Sequence, residues 1–190
     1  LGFVGKSETA ATEISLKALA DETVQLVSHE IKKKGVQIAR KMDPSLDPIW
    51  SDAYQIRQVL LNLLTNAIHA VDSEGTITIA VEDAGDSQTI TVSDTGPGIA
   101  REHLAKIFEP FFSTKAPDQG TGLGLFVSRG IVEKLGGSIE VASILGQGAH
   151  FSVRLPKHPK DTGDIKTTGA ESWVEKIRTH FSGTTGEKSS

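Results

Sequence analysis

Gly120-Thr121-Gly122-Leu123-Gly124-Leu125 decides how this chain is read. Three glycines alternate with other residues and run into an apolar pattern of helical spacing: Leu125, Phe126, Val127, Ile131, Val132 and Leu135. Such a junction suits backbone N–H groups that must approach an anion at a helix N-terminus. Side chains would obstruct the approach, and the helix dipole favours negative charge there. The same residues also describe a flexible helix start with no ligand, so the flanking segments decide between the two.

Upstream lies the strongest helical signal, over 52–71. Asp52 stands at the N-cap, and Ile56, Val59, Leu60, Leu63, Ala67, Ile68 and Val71 repeat mainly in steps of three and four. Asn62, Asn66 and His69 form a second stripe beside the apolar one. Amides along a buried face point to a helix flanking a pocket; for His69 alone a solvated edge is the simpler reading. Gly75 then opens a strand over 76–82 with Ile77, Ile79 and Val81 on one face. A second strand over 88–94 places Ile90 and Val92 together, and Asp94 continues their parity. Its carboxylate therefore turns toward the apolar side, where it is costly unless something donates to it. Thr95-Gly96-Pro97-Gly98 follows as a rigid turn.

A short helix is expected over 101–107. Phe108-Glu109-Pro110-Phe111-Phe112 then concentrates aromatics in a chain with only 5% of them. Residues 113–119 are polar and aperiodic, and read as a mobile loop. The glycine-led helix stops at Gly136-Gly137. Strands over 138–143 and 149–155 follow, with Gly146 and Gly148 in the turn between them.

The ends carry less information. Residues 1–13 read as a linker, and Gly5-Lys6-Ser7 matches only the end of a P-loop, without its first glycine or a preceding strand. A single amphipathic helix is expected over 18–34, stopped by Gly35, then an edge strand carrying Val36, Ile38 and Met42. Asp43-Pro44 and Asp47-Pro48 enforce a loop. Residues 158–190 form a polar tail, with one short docking or linker helix over 170–181.

Bulk properties narrow the classes. A net charge of −4 leaves no broad basic field, so nucleic acid is not the expected partner. With no cysteine, disulfides, thiolate catalysis and cysteine-ligated zinc are excluded, and a reducing, cytoplasmic setting is expected. No run of about 18 apolar residues is present. The start shows neither an initiator Met nor a signal-peptide pattern, so the chain reads as part of a longer protein that is free to carry a membrane anchor elsewhere.

Taken in order, these segments resemble the ATP-binding catalytic domain of sensor histidine kinases, of the superfamily shared with type II topoisomerases, Hsp90 chaperones and MutL proteins. Asn-Leu-Leu-Thr-Asn-Ala at 62–67 is similar to the N box, and Asp94 to Ile99 to the first glycine box. Phe108 to Phe112 is similar to the F box, and 120–125 to the second glycine box. The likeness runs from about residue 14 to 157 and is greatest to nitrogen-regulator-type kinases. It implies a two-layer α/β sandwich of Bergerat type: a mixed β-sheet with three main helices on one face.

The resemblance also implies roles. Asp94 accepts from the adenine amine, where guanine would present a carbonyl. Asn66 holds Mg2+ through its amide oxygen, while Asn62 and His69 reach phosphates or metal-bound water. Gly96 and Gly98 bring backbone near the base, with Ile99 and Phe111 also lining the nucleotide. Lys115 reaches the phosphates from the lid, and Gly120, Thr121, Gly122, Leu123, Gly124 and Leu125 present N–H groups to them. In the topoisomerase and chaperone branches a Glu that activates water stands where Asn62 stands here, and an amide cannot act as a general base. Asn62, Asn66 and Lys115 are thus expected to serve phosphotransfer to a His rather than rapid hydrolysis.

That His is expected on a separate dimerisation and phosphoacceptor domain. His29-Glu30 is followed by Lys32-Lys33-Lys34-Gly35 rather than by the family's Pro, and lies close ahead of the N box. A response regulator is the implied downstream partner, and the isolated domain is expected to be monomeric. Ala149 departs from the Thr or Ser usual after Gly146-Gln147-Gly148. Two alternatives remain open: a non-catalytic ATP-binding interaction module, and an ATPase of the wider superfamily.

Overall fold

The computed structural model describes residues 11–114 and 121–158. Its centre is a five-stranded mixed sheet in the order β2-β4-β5-β7-β6. The strands are β2 (Gln37–Met42), β4 (Thr76–Asp83), β5 (Ser87–Asp94), β6 (Ser138–Ser143) and β7 (Ala149–Pro156). β2 lies at one edge and runs parallel to β4, and every other pairing is antiparallel. Short β1 (Thr12–Ile14) and β3 (Ile49–Ser51) make a separate antiparallel pair.

Alternation along the strands sorts the two faces. Ile79, Val92, Phe151 and Val141 stand opposite one another across four strands and form one apolar row. Flanking positions Ile77, Val81, Ile90, Val153 and Leu155 are all buried with them. The other face carries small polar residues, with the Thr91 and Ser152 hydroxyls 3.2 Å apart. Among the described residues the helices pack on the apolar face: α1 (Leu16–Leu26), α2 (Ser28–Lys34), α3 (Ala53–Ala70) and α5 (Gly124–Lys134), with α4 (Arg101–Leu104) a single turn. The result is the expected two-layer α/β sandwich, with α1, α3 and α5 as its three main helices. No helix among the described residues is long and apolar enough to cross a membrane.

α3 is the axis of the helical layer. Ile56, Val59, Leu60, Leu63, Leu64, Ala67 and Ile68 are all buried. The Asp52 carboxylate caps its start, accepting from the Gln55 backbone N–H at 3.0 Å and from the Gln55 side chain at 2.7 Å. Its far end is capped from a distance. Lys34 Nζ donates to the carbonyls of Ile68 at 2.6 Å and His69 at 3.2 Å, as a cation should at the negative end of a helix.

Three expectations are corrected. The single helix over 18–34 begins at Leu16 and breaks at Val27. Thr23 Oγ1 donates back to the Leu19 carbonyl at 2.6 Å, a bond that bends helices, and the Val27 N–H turns to Gln25. Thr12 and Glu13, expected in a linker, pair with Ser51 and Trp50. Ser51 and Trp50 belong to β3, which follows the loop enforced by Asp43-Pro44 and Asp47-Pro48. Three-residue strands are too short to show a period, and their partners lie far away in sequence. The helix expected over 101–107 keeps its helical geometry only to Leu104, then continues as turns. Residues 170–181 lie outside the described residues.

Candidate nucleotide site

Asp94 ends β5 with 7% of its surface exposed. Gly96 N–H donates to its Oδ1 at 2.8 Å, and the Ala149 N–H also donates to the carboxylate. Burial raises its pKa above the ordinary carboxylate value; the two N–H donors and nearby His150 pull it part of the way back. The turn that follows is held in register by Thr95. Its N–H donates to the Thr76 carbonyl at 3.2 Å, and its hydroxyl accepts from the Thr76 N–H at 3.0 Å.

Asn62 and Asn66 lie one helical turn apart on α3, both half-buried. Their surroundings differ. Asn62 Nδ2 donates to Ser128 Oγ on α5 at 2.9 Å. The Asn66 side chain makes no hydrogen bond among the described residues. A half-buried amide with an open carbonyl oxygen fits a hard cation. No group of three or more His, Asp or Glu side chains among the described residues could hold a metal by itself. His69, one turn beyond Asn66 on the same helix, is exposed.

The glycine-led helix begins at Gly124. Leu123 at its N-cap makes no side-chain capping bond, so among the described residues no side chain caps the first-turn N–H groups. Just before it, Thr121 Oγ1 accepts from the Leu123 N–H at 3.4 Å. Leu125 packs against the core, as does Ile99.

The glycines of both motifs have internal reasons to be glycine. A Cβ at Gly96 would come within 2.8 Å of the Ala70 carbonyl and of Asp94 Oδ1. At Gly98, whose φ is +72°, it would run into the Ile144 carbonyl. At Gly122, whose φ is +68°, it would meet the Phe111 backbone, and Phe111 itself sits at φ +64°. At Gly124 it would collide with the Asn62 amide. The close approaches observed are thus of the protein to itself, at the joints between motifs. The aromatic segment is anchored on both sides: Arg129 of α5 lies 5.8 Å from the centre of the Phe108 ring, and His103 meets Phe112 edge to face. Lys115 and Gly120 lie outside the described residues, as does the loop segment 115–119.

Sequence reasoning missed Ser128, Ser143 and the Ala149 N–H. Ser128 carries a weak signal, a polar residue 2% exposed on the apolar face of α5, one turn after Gly124. The backbone donor leaves no trace in side-chain pattern.

A buried acid closing a strand, an amide-bearing helix beside it and an uncapped glycine-led helix, on a mixed sheet covered on one face, define a nucleotide-binding α/β domain. Residues 51–159 match the model of the histidine kinase-, DNA gyrase B-, and HSP90-like ATPase family, and the chain belongs to that family. It is 40% identical over 156 residues to the sensor histidine kinase ZraS of Escherichia coli O157:H7, covering 82% of this chain and 34% of that protein. The chain thus spans about a third of the length of this curated relative. The catalytic domain of histidine kinase ThkA superposes with a TM-score of 0.73 at 37% identity, covering 79% of this chain and 97% of that one. ThkA solved in complex with the response regulator protein TrrA gives 0.70 at 33% identity, covering 80% and 43%.

Proposed function

We propose that this domain binds magnesium-ATP and transfers its γ-phosphate to a His on a separate helical-hairpin domain, as the catalytic module of a two-component sensor histidine kinase. The observation that carries the reading is Asp94. A carboxylate kept at the end of a strand and almost wholly buried is costly, and burial raises its pKa. A base amine donating to it would offset that cost and would select adenine over guanine. The open amide of Asn66 would hold Mg2+, and the uncapped N-terminus of α5 would take phosphate oxygens. Mg2+ supplies charge neutralisation at the phosphates.

A neutral imidazole already has a nucleophilic lone pair, so what remains for this chain is positioning and electrostatics. Asn62 cannot abstract a proton from water, and its amide is already engaged with Ser128. Both features favour phosphotransfer over rapid hydrolysis. Lys115 would approach the phosphates from the segment before Gly120, and Ile99, Phe111 and His69 would border the nucleotide. The resemblance to ThkA, solved with a response regulator, makes such a regulator the natural downstream partner. The cysteine-free composition suits the cytoplasm.

The test mixes the 190-residue chain with a histidine-bearing hairpin domain from a ZraS-like kinase and labelled ATP. Acid-labile, base-stable label on the hairpin, lost with Asp94→Asn, is the expected result. No label under saturating ATP, in a mixture where both domains are folded and ATP binding is measured, overturns phosphotransfer.

A further inference from the structure

The tip of the β6–β7 hairpin lies on the glycine turn that follows Asp94, and one side chain joins them. Ser143 Oγ accepts from the Ile99 N–H at 2.8 Å and donates to the Gly148 carbonyl at 2.6 Å. The Gly146 N–H donates to the Pro97 carbonyl at 2.7 Å. There is no slack in this contact. A Cβ at Gly98 would strike the Ile144 carbonyl, and one at Gly148, where φ is +87°, would strike the Asp94 carbonyl. Immediately after Gly148 comes Ala149, whose N–H donates to the Asp94 carboxylate alongside the turn's own donor, Gly96.

A hydroxyl is the group that can serve both partners at once, with one O–H to give and lone pairs to accept. Alanine at 143 would leave the Ile99 N–H and the Gly148 carbonyl without this partner. The Gly146–Pro97 bond alone would then tie the hairpin tip to the turn, and the Ala149 and Gly96 amides that fix the carboxylate would be held less firmly. We propose that Ser143 is a positioning residue for recognition of the nucleotide base. It locks the hairpin tip to the glycine turn and so holds the two amides that aim the Asp94 carboxylate. This rests on the reading of Asp94 as the adenine acceptor. Its effect belongs to the base end of the site, and so is independent of metal and of the number of phosphates.

The experiment measures binding of magnesium-ATP and of magnesium-free ADP to the full chain by titration calorimetry, for wild type, Ser143→Ala, Ser143→Thr and Asn66→Ala. Ser143→Ala is expected to weaken both nucleotides by the same factor, about five- to tenfold, the scale of one hydrogen bond. Ser143→Thr, which keeps the hydroxyl, is expected to recover to within about twofold of wild type. Asn66→Ala should affect magnesium-ATP far more than ADP. A second readout needs no variant: the Ile99 amide should be protected from hydrogen exchange in the wild-type chain. Folded Ser143→Ala that binds both nucleotides as wild type does, or loses affinity for magnesium-ATP alone, overturns the proposal. So does an Ile99 amide that exchanges freely. If wild type binds neither nucleotide, the ATP-site reading falls and this one with it; if wild type binds and only the Ser143 effects are missing, this one falls alone.

Discussion

The Asn62 amide donates to the Ser128 hydroxyl at 2.9 Å, joining α3 to α5 across 66 residues of sequence. One end of that bond is a motif residue and the other a serine buried to 2% exposure. The bond fixes the helix bearing Asn66 to the helix whose N-terminus faces the site. Removing either partner alone leaves a polar group poorly satisfied, whereas removing both does not. A double-mutant cycle of Asn62→Ala and Ser128→Ala, read by urea unfolding, should give a coupling of about 0.5–1.5 kcal/mol. Strict additivity would mean that the bond contributes nothing.

Gly124 is tested by the same neighbour. An added methyl there would collide with the Asn62 amide, so Gly124→Ala should cost about 1–3 kcal/mol, as overpacking does. In an Asn62→Ala background the obstacle is gone. The same substitution should then be neutral or should stabilise by up to about 1 kcal/mol, because alanine is the better helix former. Equal losses in both backgrounds would locate the glycine requirement elsewhere.

Asp94 should trade stability against binding. Its pKa is raised in the fold, chiefly by burial, so the native state binds this proton more tightly than the unfolded chain does. The stabilisation from that proton is present below the ordinary carboxylate pKa and is lost as pH rises through the raised native value. At pH 7 the ionised group therefore costs stability. Asp94→Asn keeps an acceptor for Gly96 and Ala149 and removes the charge. Its Tm at pH 7 should equal or exceed that of wild type, while the rise in Tm on adding magnesium-ATP disappears. A clearly lower Tm without nucleotide would contradict this.

Lys34 caps α3 from another helix. Lys34→Met keeps most of the apolar stem and removes the donor, and should cost about 1 kcal/mol. That corresponds to about 2–4 °C in Tm for a domain of this size, measurable by circular dichroism. An unchanged Tm would show that water serves those carbonyls equally well.

Lys157 closes the end of the domain remote from the glycine turn. Its Nζ lies 2.6 Å from Asp83 Oδ2 and 3.5 Å from Asp47 Oδ2, while its backbone bridges Trp50 and Asp86. The bond from Lys157 and the Gly85 N–H hold the Asp83 pKa below its ordinary value. A depressed carboxylate pKa contributes stability above the unfolded value, and that stability is lost as pH falls through the native value. Asp83→Asn should therefore destabilise the chain at pH 7, with the difference from wild type closing below the ordinary carboxylate pKa. A difference that persists unchanged in acid would assign it to packing.

Much of the architecture was legible from periodicity. α3 with its Asp52 cap, the inward parity of Asp94, and the strand pairs flanking Ala84–Ser87 and Gly146–Gly148 all follow from spacing, because side-chain direction repeats every 3.6 residues in a helix and every two in a strand. The motifs in order also reveal the family, since each motif is tied to a place on one of those elements. The break at Val27 and the pairing of β1 with β3 were not legible. The first turns on one hydroxyl finding a carbonyl, the second on three residues meeting partners far along the chain.

Local pattern, then, determines which residues face inward and which chemistry they carry, because those depend on near neighbours. It does not determine partners. Asn62 and Asn66 look alike in sequence, yet one is bonded to Ser128 and the other has no side-chain hydrogen bond among the described residues. Gly124 reads as making room for phosphate, yet it also makes room for Asn62. Ser143 shows no signal at all, yet it joins Ile99 to Gly148. Hydrogen bonds and close contacts between distant segments exist only once packing has brought those segments within about 3 Å, and only the tertiary structure does that.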